Sequence, residues 1–366
     1  MSHPLVIDWM ALSFVPGLGS KGIGQLVAHF GNPQKVFEAG KQALRECGVR
    51  KNVLSSLHSP SSFLEQAHTL HKRLHASGAD AVCLDDPQYP RSLKEIADPP
   101  PVLYVQGRME LLNSYCLAMV GSRAATAYGK RSSFVLAQGL ASSGATVVSG
   151  VAAGIDSEAH RGALSVKGAT IGVLGCGLDV VYPAQNRSLY EDIRREGLLV
   201  TEYPLGTKPD GYRFPARNRI IAGLSKGVVV VEAARKSGSL ITAEMALDEG
   251  REVFAVPGQI DSFKSSGAHW LLQQGAKLVQ SADDILVEFG AVANVSVGGE
   301  DVPPIHSVID PETEELLKYI DVYPQSRNEI IAASALRPAK VTELLLLLEL
   351  DGLVELLPGD EIRRIS

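Results

Sequence analysis

CLAMV (116–120), ATVVSG (145–150), ATIGVLG (169–175), GLLVTE (197–202), GVVVVE (227–232), REVFAVPG (251–258) and AKLVQ (276–280) are short apolar runs spaced along the middle of the chain. Each is continuous rather than alternating, the pattern of a strand buried on both faces, and the segments between them are long enough for crossover helices. From about Ser114 to Gly290 this texture predicts an α/β fold, a doubly wound and mostly parallel sheet. Ligands of such a sheet belong at the carboxyl ends of its strands.

The flanks read differently. From Ile7 to about His75 the pattern is short, helical and polar, broken at Pro16-Gly17, Gly31-Asn32-Pro33 and Gly48, and it predicts several small helices. The stretch from Asp85 to Gly107 is punctuated by Asp86-Pro87, Tyr89-Pro90 and Pro99-Pro100-Pro101 and is expected as an extended loop leading into the main domain. GAVANVSVGGEDVPP (290–304) is Gly-rich and without amphipathic period, which suits a linker. After it, PETEELLKYI, SRNEIIAAS and RPAKVTELLLLLELDG are helical patterns that close on a hairpin, LVELLPGDEIRRI, with its tip at Pro358-Gly359-Asp360. That is winged helix-turn-helix order. The expected division is a helical domain at 1–75, the α/β domain at 80–290, a linker at 291–304 and a winged helix at 305–366.

With 366 residues, 45% hydrophobic and 21% charged, the composition is globular and excludes wholesale disorder, collagen and a disulfide-stapled secreted scaffold. Cys47, Cys83, Cys116 and Cys176 lie far apart, with no C-x-x-C and no His at metal-ligand spacing, so neither a zinc site nor a disulfide framework is expected. Nothing in the N-terminus reads as a signal peptide, and no segment approaches eighteen uninterrupted apolar residues. The expectation is a cytoplasmic protein with no membrane span.

Thirty-five Lys and Arg against 41 Asp and Glu leave a net charge of -6, which at first argues against a nucleic-acid partner. The deficit is regional. Residues 301–366 hold six basic and thirteen acidic groups, a local -7, while residues 1–75 hold eight basic and four acidic groups. The acidic C-terminal domain is therefore expected to meet protein or to regulate, and the basic surfaces elsewhere are expected to meet nucleic acid.

Four blocks carry the candidate chemistry. In MVGSRAATAYGK (119–130) a buried strand ends at Gly121, Ser122 and Arg123, a loop suited to anions, with Thr126 a candidate helix N-cap. In SGVAAGIDSEAHRGAL (149–164) Gly150 and Gly154 permit close backbone approach, Asp156 can cap the helix, and His160 falls four residues later on the same helical face. Without a Ser or Cys nucleophile in a recognisable elbow, that pair reads as a structural hydrogen bond holding the loop rather than a general base. PLGTKPDGYRFPARNRIIAGLSK (204–226) sets Lys208, Arg213, Arg217, Arg219 and Lys226 against one acid, Asp210, and interleaves Tyr212 and Phe214, as a single-strand groove requires. Ser237-Gly238-Ser239 precedes an apolar helix and offers further N-terminal donors, with Arg235 and Lys236 beside it. VPGLGSKGIGQLVAHFG (15–31) suits either a phosphate-binding helical hairpin or an ordinary one. No P-loop occurs and no G-x-G-x-x-G follows the first sheet strand, so no cofactor is expected.

The ordered set GSR (121–123), SGVAAGIDSEAH (149–160), IGVLGCGLDVVYPAQN (171–186), FPARNRIIAGLS (214–225), GSLITAEMAL (238–247) and REVFAVPG (251–258) closely resembles the DNA-processing protein A family, also called Smf, across nearly all of 80–290. The resemblance implies an extended Rossmann-like domain that dimerises, binds single-stranded DNA entering during natural transformation, and helps to load RecA recombinase on it. It implies a binding protein rather than an enzyme, flanked in some members by a sterile-alpha-motif-like or helix-hairpin-helix-like N-terminal domain and a winged helix. Carried over, it makes Gly121, Ser122 and Arg123 phosphate contacts and Lys208, Arg217 and Arg219 strand contacts. Arg213, Asn218, Ser237, Gly238 and Ser239 complete the expected DNA-binding set, and Tyr128, Tyr212 or Phe214 would assist by stacking. The family's tyrosine-proline block maps to Tyr182, Pro183 and Asn186, although Ala184 and Gln185 fill positions that are often basic. Two rivals are a nucleotide-phosphate hydrolase similar to the LOG family, whose P-G-G-x-G-T signature has no clean match in RKSGSLITAE, and a winged-helix transcription regulator.

Overall fold

The apolar runs become the parallel body of a nine-stranded sheet in the computed structural model, which describes residues 5–290, 311–321, 323–350, 353–357 and 359–364. Its strands are β1 (Asp80–Cys83), β2 (Val102–Gly107), β3 (Cys116–Val120), β4 (Thr146–Ser149), β5 (Thr170–Val173), β6 (Leu198–Thr201), β7 (Gly227–Val230), β8 (Glu252–Ala255) and β9 (Lys277–Leu278). They stand in the order β1-β2-β6-β5-β4-β3-β7-β8-β9. Pairing is parallel from β6 through β9, and β2 runs antiparallel to both β6 and β1. From β3 the chain winds through β4, β5 and β6 on one side, then returns to lay β7, β8 and β9 on the other. β3 and β7 flank the reversal, where a crevice opens at the carboxyl ends of the strands.

The continuous apolar runs follow from double-sided burial. Cys116, Ala118 and Val120 pack into the core on one face and Leu117 and Met119 into that on the other; Val228 and Val230 divide from Val229 and Val231 in the same way. The helices of this unit are α1 (Val6–Ser13), α2 (Ser20–Phe30), α3 (Pro33–Glu38), α4 (Lys41–Glu46), α5 (Lys51–Leu57), α6 (Ser61–Ala76), α7 (Arg91–Lys94), α8 (Ala127–Ser142), α9 (Ile155–Ser165), α10 (Arg187–Glu196), α11 (Arg213–Leu224), α12 (Gly238–Asp248), α13 (Ser266–Gln273) and α14 (Ala282–Leu286). One face is covered by α11, α12 and α13 through Ile220, Leu240 and Leu271, and the other by α8, α9 and α14 through Leu136, Ala159 and Ile285.

The small helices expected at 1–75 are α1 to α6, but they are not a body apart. Trp9, Met10 and Leu12 share one core with Tyr104 and Leu199 of the sheet and with Leu174 just after β5, and the whole of Met1–Ala293 is one compact unit. The expected loop at 85–107 needs correction, since its last residues form β2, with Leu103, Tyr104 and Val105 buried. The triple proline ends at Pro101, so it limits the start of the strand without occupying it.

The second unit, Asn294–Ser366, is the expected winged helix. It has α15 (Pro311–Leu317), α16 (Arg327–Ser334) and α17 (Pro338–Leu350), with a small sheet of β10 (Gln325–Ser326), β11 (Val354–Leu357) and β12 (Glu361–Arg364) in the order β10-β12-β11. Leu316, Ile330, Leu344, Leu348, Val354 and Ile362 form its own core. The expected linker at 291–304 and Pro358 of the hairpin tip lie outside the described residues. Among the described residues no helix is long and apolar enough to cross a membrane.

Candidate nucleic-acid interface

At the reversal point β3 runs into Gly121, where a side chain would strike Ile155 at 2.6 Å and the Glu232 carbonyl at 2.9 Å. The Ser122 amide donates to that carbonyl at 2.7 Å, which lashes the loop after β3 to the loop after β7. This amide is therefore committed to the fold, while Ser122 and Arg123 line the cleft. The expected cap is present: Thr126 Oγ1 accepts from the Gly129 amide at 3.0 Å. The buried Glu232 carboxylate in turn accepts from the Thr126 hydroxyl at 2.5 Å and from its amide. Gly154, at φ +80°, turns the chain where a Cβ would meet the Ser122 carbonyl at 2.3 Å, so only glycine fits.

The cleft so formed has a volume of about 700 Å³ and gathers Gly121, Ser122, Arg123, Arg217, Asn218, Ser237, Gly238 and Ser239 of the expected set. Arg217 is its buried floor. Its Nη1 donates to the carbonyls of Gly150, at 2.8 Å, and Val173, and its Nε to Asn218 Oδ1 at 3.2 Å. Nη2 makes no hydrogen bond within the described residues. Gly150 is what admits the guanidinium, since a Cβ there would stand 2.5 Å from Nη2. Asn218 reaches on to the Gly238 carbonyl at 3.4 Å, and Ser237 caps α12 by accepting from the Ser239 amide at 3.2 Å.

Asp156 accepts from the amides of Gly150 at 3.1 Å and Ala152 at 3.4 Å, so it holds the loop, as expected. Burial raises its carboxyl above the ordinary range, opposed by the charge of Arg217 and by those amides. Burial likewise lowers the Arg217 guanidinium, opposed by Asp156. His160 is fully buried and does not meet Asp156; its Nδ1 stands 2.7 Å from Thr170 Oγ1, which itself donates to the Val147 carbonyl. The imidazole must then be the donor at Nδ1. Burial, with Arg217 and Arg161 behind it, pushes His160 down to about 3.

Aromatic groups line the mouth. The Arg123 guanidinium lies 5.2 Å over the Phe214 ring, whose neighbour Tyr182 stacks at 5.3 Å with 26° between planes. Tyr182 is half-exposed, and Gly175 leaves room for Phe214, with 2.9 Å to a Cβ. Tyr128 donates to the Pro257 carbonyl at 2.7 Å with its ring partly exposed. Asn186 faces inward, donating to the Val151 carbonyl and to Ser157 at 2.9 Å each.

Three expected contacts stand outside the cleft lining. Lys208 is exposed beside Pro209 and Asp210 of the rim, and its carbonyl accepts from Arg213, whose guanidinium lies between the rings of Tyr203 and Tyr212 at 5.4 and 5.2 Å. Arg219 is displaced furthest. It forks onto Glu202 at 2.7 and 2.8 Å, pairs with Asp98 at 3.4 Å, and approaches Ser20 Oγ of α2 at 3.5 Å. Two residues along a helix rotate a side chain by about 200°, so Arg217 and Arg219 cannot face the same strand. The sequence reading of a basic run missed that phase, and it missed Glu232 and the Tyr182 stack. A carboxylate closing a buried strand in GVVVVE was the available signal for the former.

The sequence model of the DNA recombination-mediator protein A family matches residues 80–290, and that of the DprA winged helix domain matches residues 302–360. Protein Smf of Synechocystis is 36% identical, with 97% of this chain and 98% of that protein aligned. The X-ray structure of DNA processing protein A (DprA) from Streptococcus pneumoniae superposes with a TM-score of 0.66 at 38% identity, covering 79% of this chain and 99% of that one. A structure of DNA processing protein A from Helicobacter pylori, described for its single-stranded DNA binding mode, superposes with a TM-score of 0.53 at 31% identity, covering 58% and 95%.

Proposed function

The chain belongs to the DNA recombination-mediator protein A family, DprA/Smf, and from that premise we propose that it binds single-stranded DNA in the cleft between β3 and β7. The observation that carries the reading is the stack of Arg123, Phe214 and Tyr182 in the same cleft as the buried Arg217. Guanidinium groups meet phosphates and flat rings meet unpaired bases, and neither contact depends on sequence. Within the same proposal, Gly121, Ser122, Arg123, Asn218, Ser237, Gly238 and Ser239 line the strand's path and Lys208 and Arg213 extend it along the rim. Arg217 is the buried floor, and Arg219 braces the fold.

The role we propose is mediation rather than catalysis. Asp156 is committed to backbone amides and His160 to Thr170, so neither is poised to move a proton for a substrate. Two copies of the chain would join two short clefts into one track and raise avidity without a new kind of contact. Such a dimer would cover incoming single strands during natural transformation and load RecA upon them. The deciding experiment titrates oligo-dT and duplex DNA across salt by fluorescence anisotropy. Tighter binding to the single strand with a steep fall in salt is expected, and weak, salt-insensitive binding to both would overturn the reading.

A further inference from the structure

Away from the cleft, the described residues bring together His71, His75 and Asp80, whose ligand atoms all lie within 4.8 Å of one another. The two histidines are four apart on α6 and so share one face of its last turns. The helix then stops abruptly. The Ser77 amide donates to the carbonyls of Arg73 and Leu74, Gly78, at φ +71°, to His75, and the Ala79 amide back to Leu74. That turn delivers Asp80, the first residue of β1, beside both imidazoles. We propose that His71, His75 and Asp80 form a site for one borderline divalent cation, best matched by Zn(II), which pins the end of α6 to the edge strand of the sheet.

The spacing of the two imidazoles suits this metal. The two Nε2 atoms stand 3.2 Å apart with the rings nearly perpendicular, at 86°. Two imidazoles bound tetrahedrally to zinc at about 2.05 Å hold their nitrogens about 3.3 Å apart. Ligand atoms on one zinc can stand no more than about 4 Å apart, so the carboxylate closes by a small side-chain rotation. Asp80 Oδ1 already accepts from the Ala81 amide at 2.8 Å, an outer contact that orients the group. His75 is exposed and His71 and Asp80 are half-buried, which leaves the fourth position to water. The negative end of the helix dipole adds to the attraction for a cation. The sequence expectation that no His stands at metal-ligand spacing is corrected at His71 and His75, which are four apart and become a ligand set only when β1 folds back beside them.

The full-length chain, stripped with EDTA, would be titrated at neutral pH with Zn(II) and Co(II), with Mg(II) as the control. The expected result is one bound equivalent of Zn(II), a raised melting temperature, and a tetrahedral Co(II) spectrum without a thiolate charge-transfer band. His75→Gln and Asp80→Asn should each weaken Zn(II) by about tenfold or more while single-strand DNA affinity is unchanged. Absence of the equivalent in the unsubstituted chain, a thiolate band, or an equivalent that survives the His71→Gln/His75→Gln double substitution would overturn the proposal. The Co(II) spectrum decides the ligand type without any variant, so a substitution that fails to fold leaves the proposal testable.

Discussion

Glu232, at the end of the strand run that starts with β7, closes on Thr126 at the start of α8, taking its hydroxyl at 2.5 Å and its amide at 3.2 and 3.3 Å. The contact joins the two sides of the point where the sheet's winding reverses, and Gly129 must lack a side chain for it to form, because a Cβ would stand 2.5 Å from Glu232 Oε2. Glu232 is buried, so its oxygens have no water to fall back on.

Replacing Glu232 with Gln puts an amide donor against the donors of Thr126 and leaves one of them unsatisfied. The expected cost is about 1–3 kcal/mol in urea unfolding. DNA affinity should fall less than stability, because Glu232 is not a cleft-lining side chain. An unchanged unfolding midpoint would show that the clamp is not stabilising.

Arg123 and Arg217 should separate cleanly. Arg123 is exposed over Phe214, so Arg123→Ala should leave the unfolding midpoint nearly unchanged while single-strand affinity falls and the salt slope decreases by about 0.7, the share of one phosphate contact. Arg217→Ala strips the carbonyls of Gly150 and Val173 of their donor and removes the positive charge that most opposes the effect of burial on Asp156. About 1–3 kcal/mol of stability should be lost for each carbonyl left unpaired. Paired anisotropy and urea titrations check both, and the assignment fails if the two variants behave alike.

Such a split was not legible in the linear run of basic residues. What was legible is whatever depends on local pattern. The runs at 116–120 and 227–232 announce strands because both faces of each are covered, and Thr126 and Ser237 announce helix starts because capping is a short-range interaction. Position within the cleft depends on partners distant in sequence. Arg219 finds Glu202, Asp98 and Ser20, and Tyr182 meets Phe214 only when the loop after β5 folds over α11. β2 was hidden for a related reason, since its pairing with β6 rather than its own composition sets it in the sheet.

His160 should make the protein acid-sensitive. Its folded value is pushed down to about 3, whereas an unfolded histidine titrates near 6.5. Below about pH 6.5 the unfolded chain takes up a proton that the folded chain refuses, so stability is fully present above that pH and is lost as pH falls towards 3. Between pH 6.5 and 5, before most carboxylates titrate, the loss should be about 1.6 kcal/mol. Urea unfolding measured across that window checks it. His160→Gln, which keeps a donor for Thr170, should flatten the slope; an equal slope in the variant would assign the proton to another group.

The winged helix should not read duplex DNA. In a DNA-reading domain of this order the second helix of the helix-turn-helix enters the major groove and its exposed side chains meet base edges and phosphates. Here that helix is α17, and it exposes Leu346 and Leu347, 54% and 42% accessible, beside the exposed Glu343 and Glu349. Residues 301–366 sum to -7, so a polyanion would be repelled, while exposed leucines rimmed by acids suit a protein partner with a basic, apolar surface. Because the unit has its own core around Leu344, Leu348 and Ile362, residues 305–366 can be measured alone. Filter binding should detect no duplex affinity at physiological salt, and Leu346→Lys/Leu347→Lys should leave single-strand binding by the full chain unchanged. Tight duplex binding by the isolated domain would move the DNA contact away from the basic cleft and onto the acidic domain.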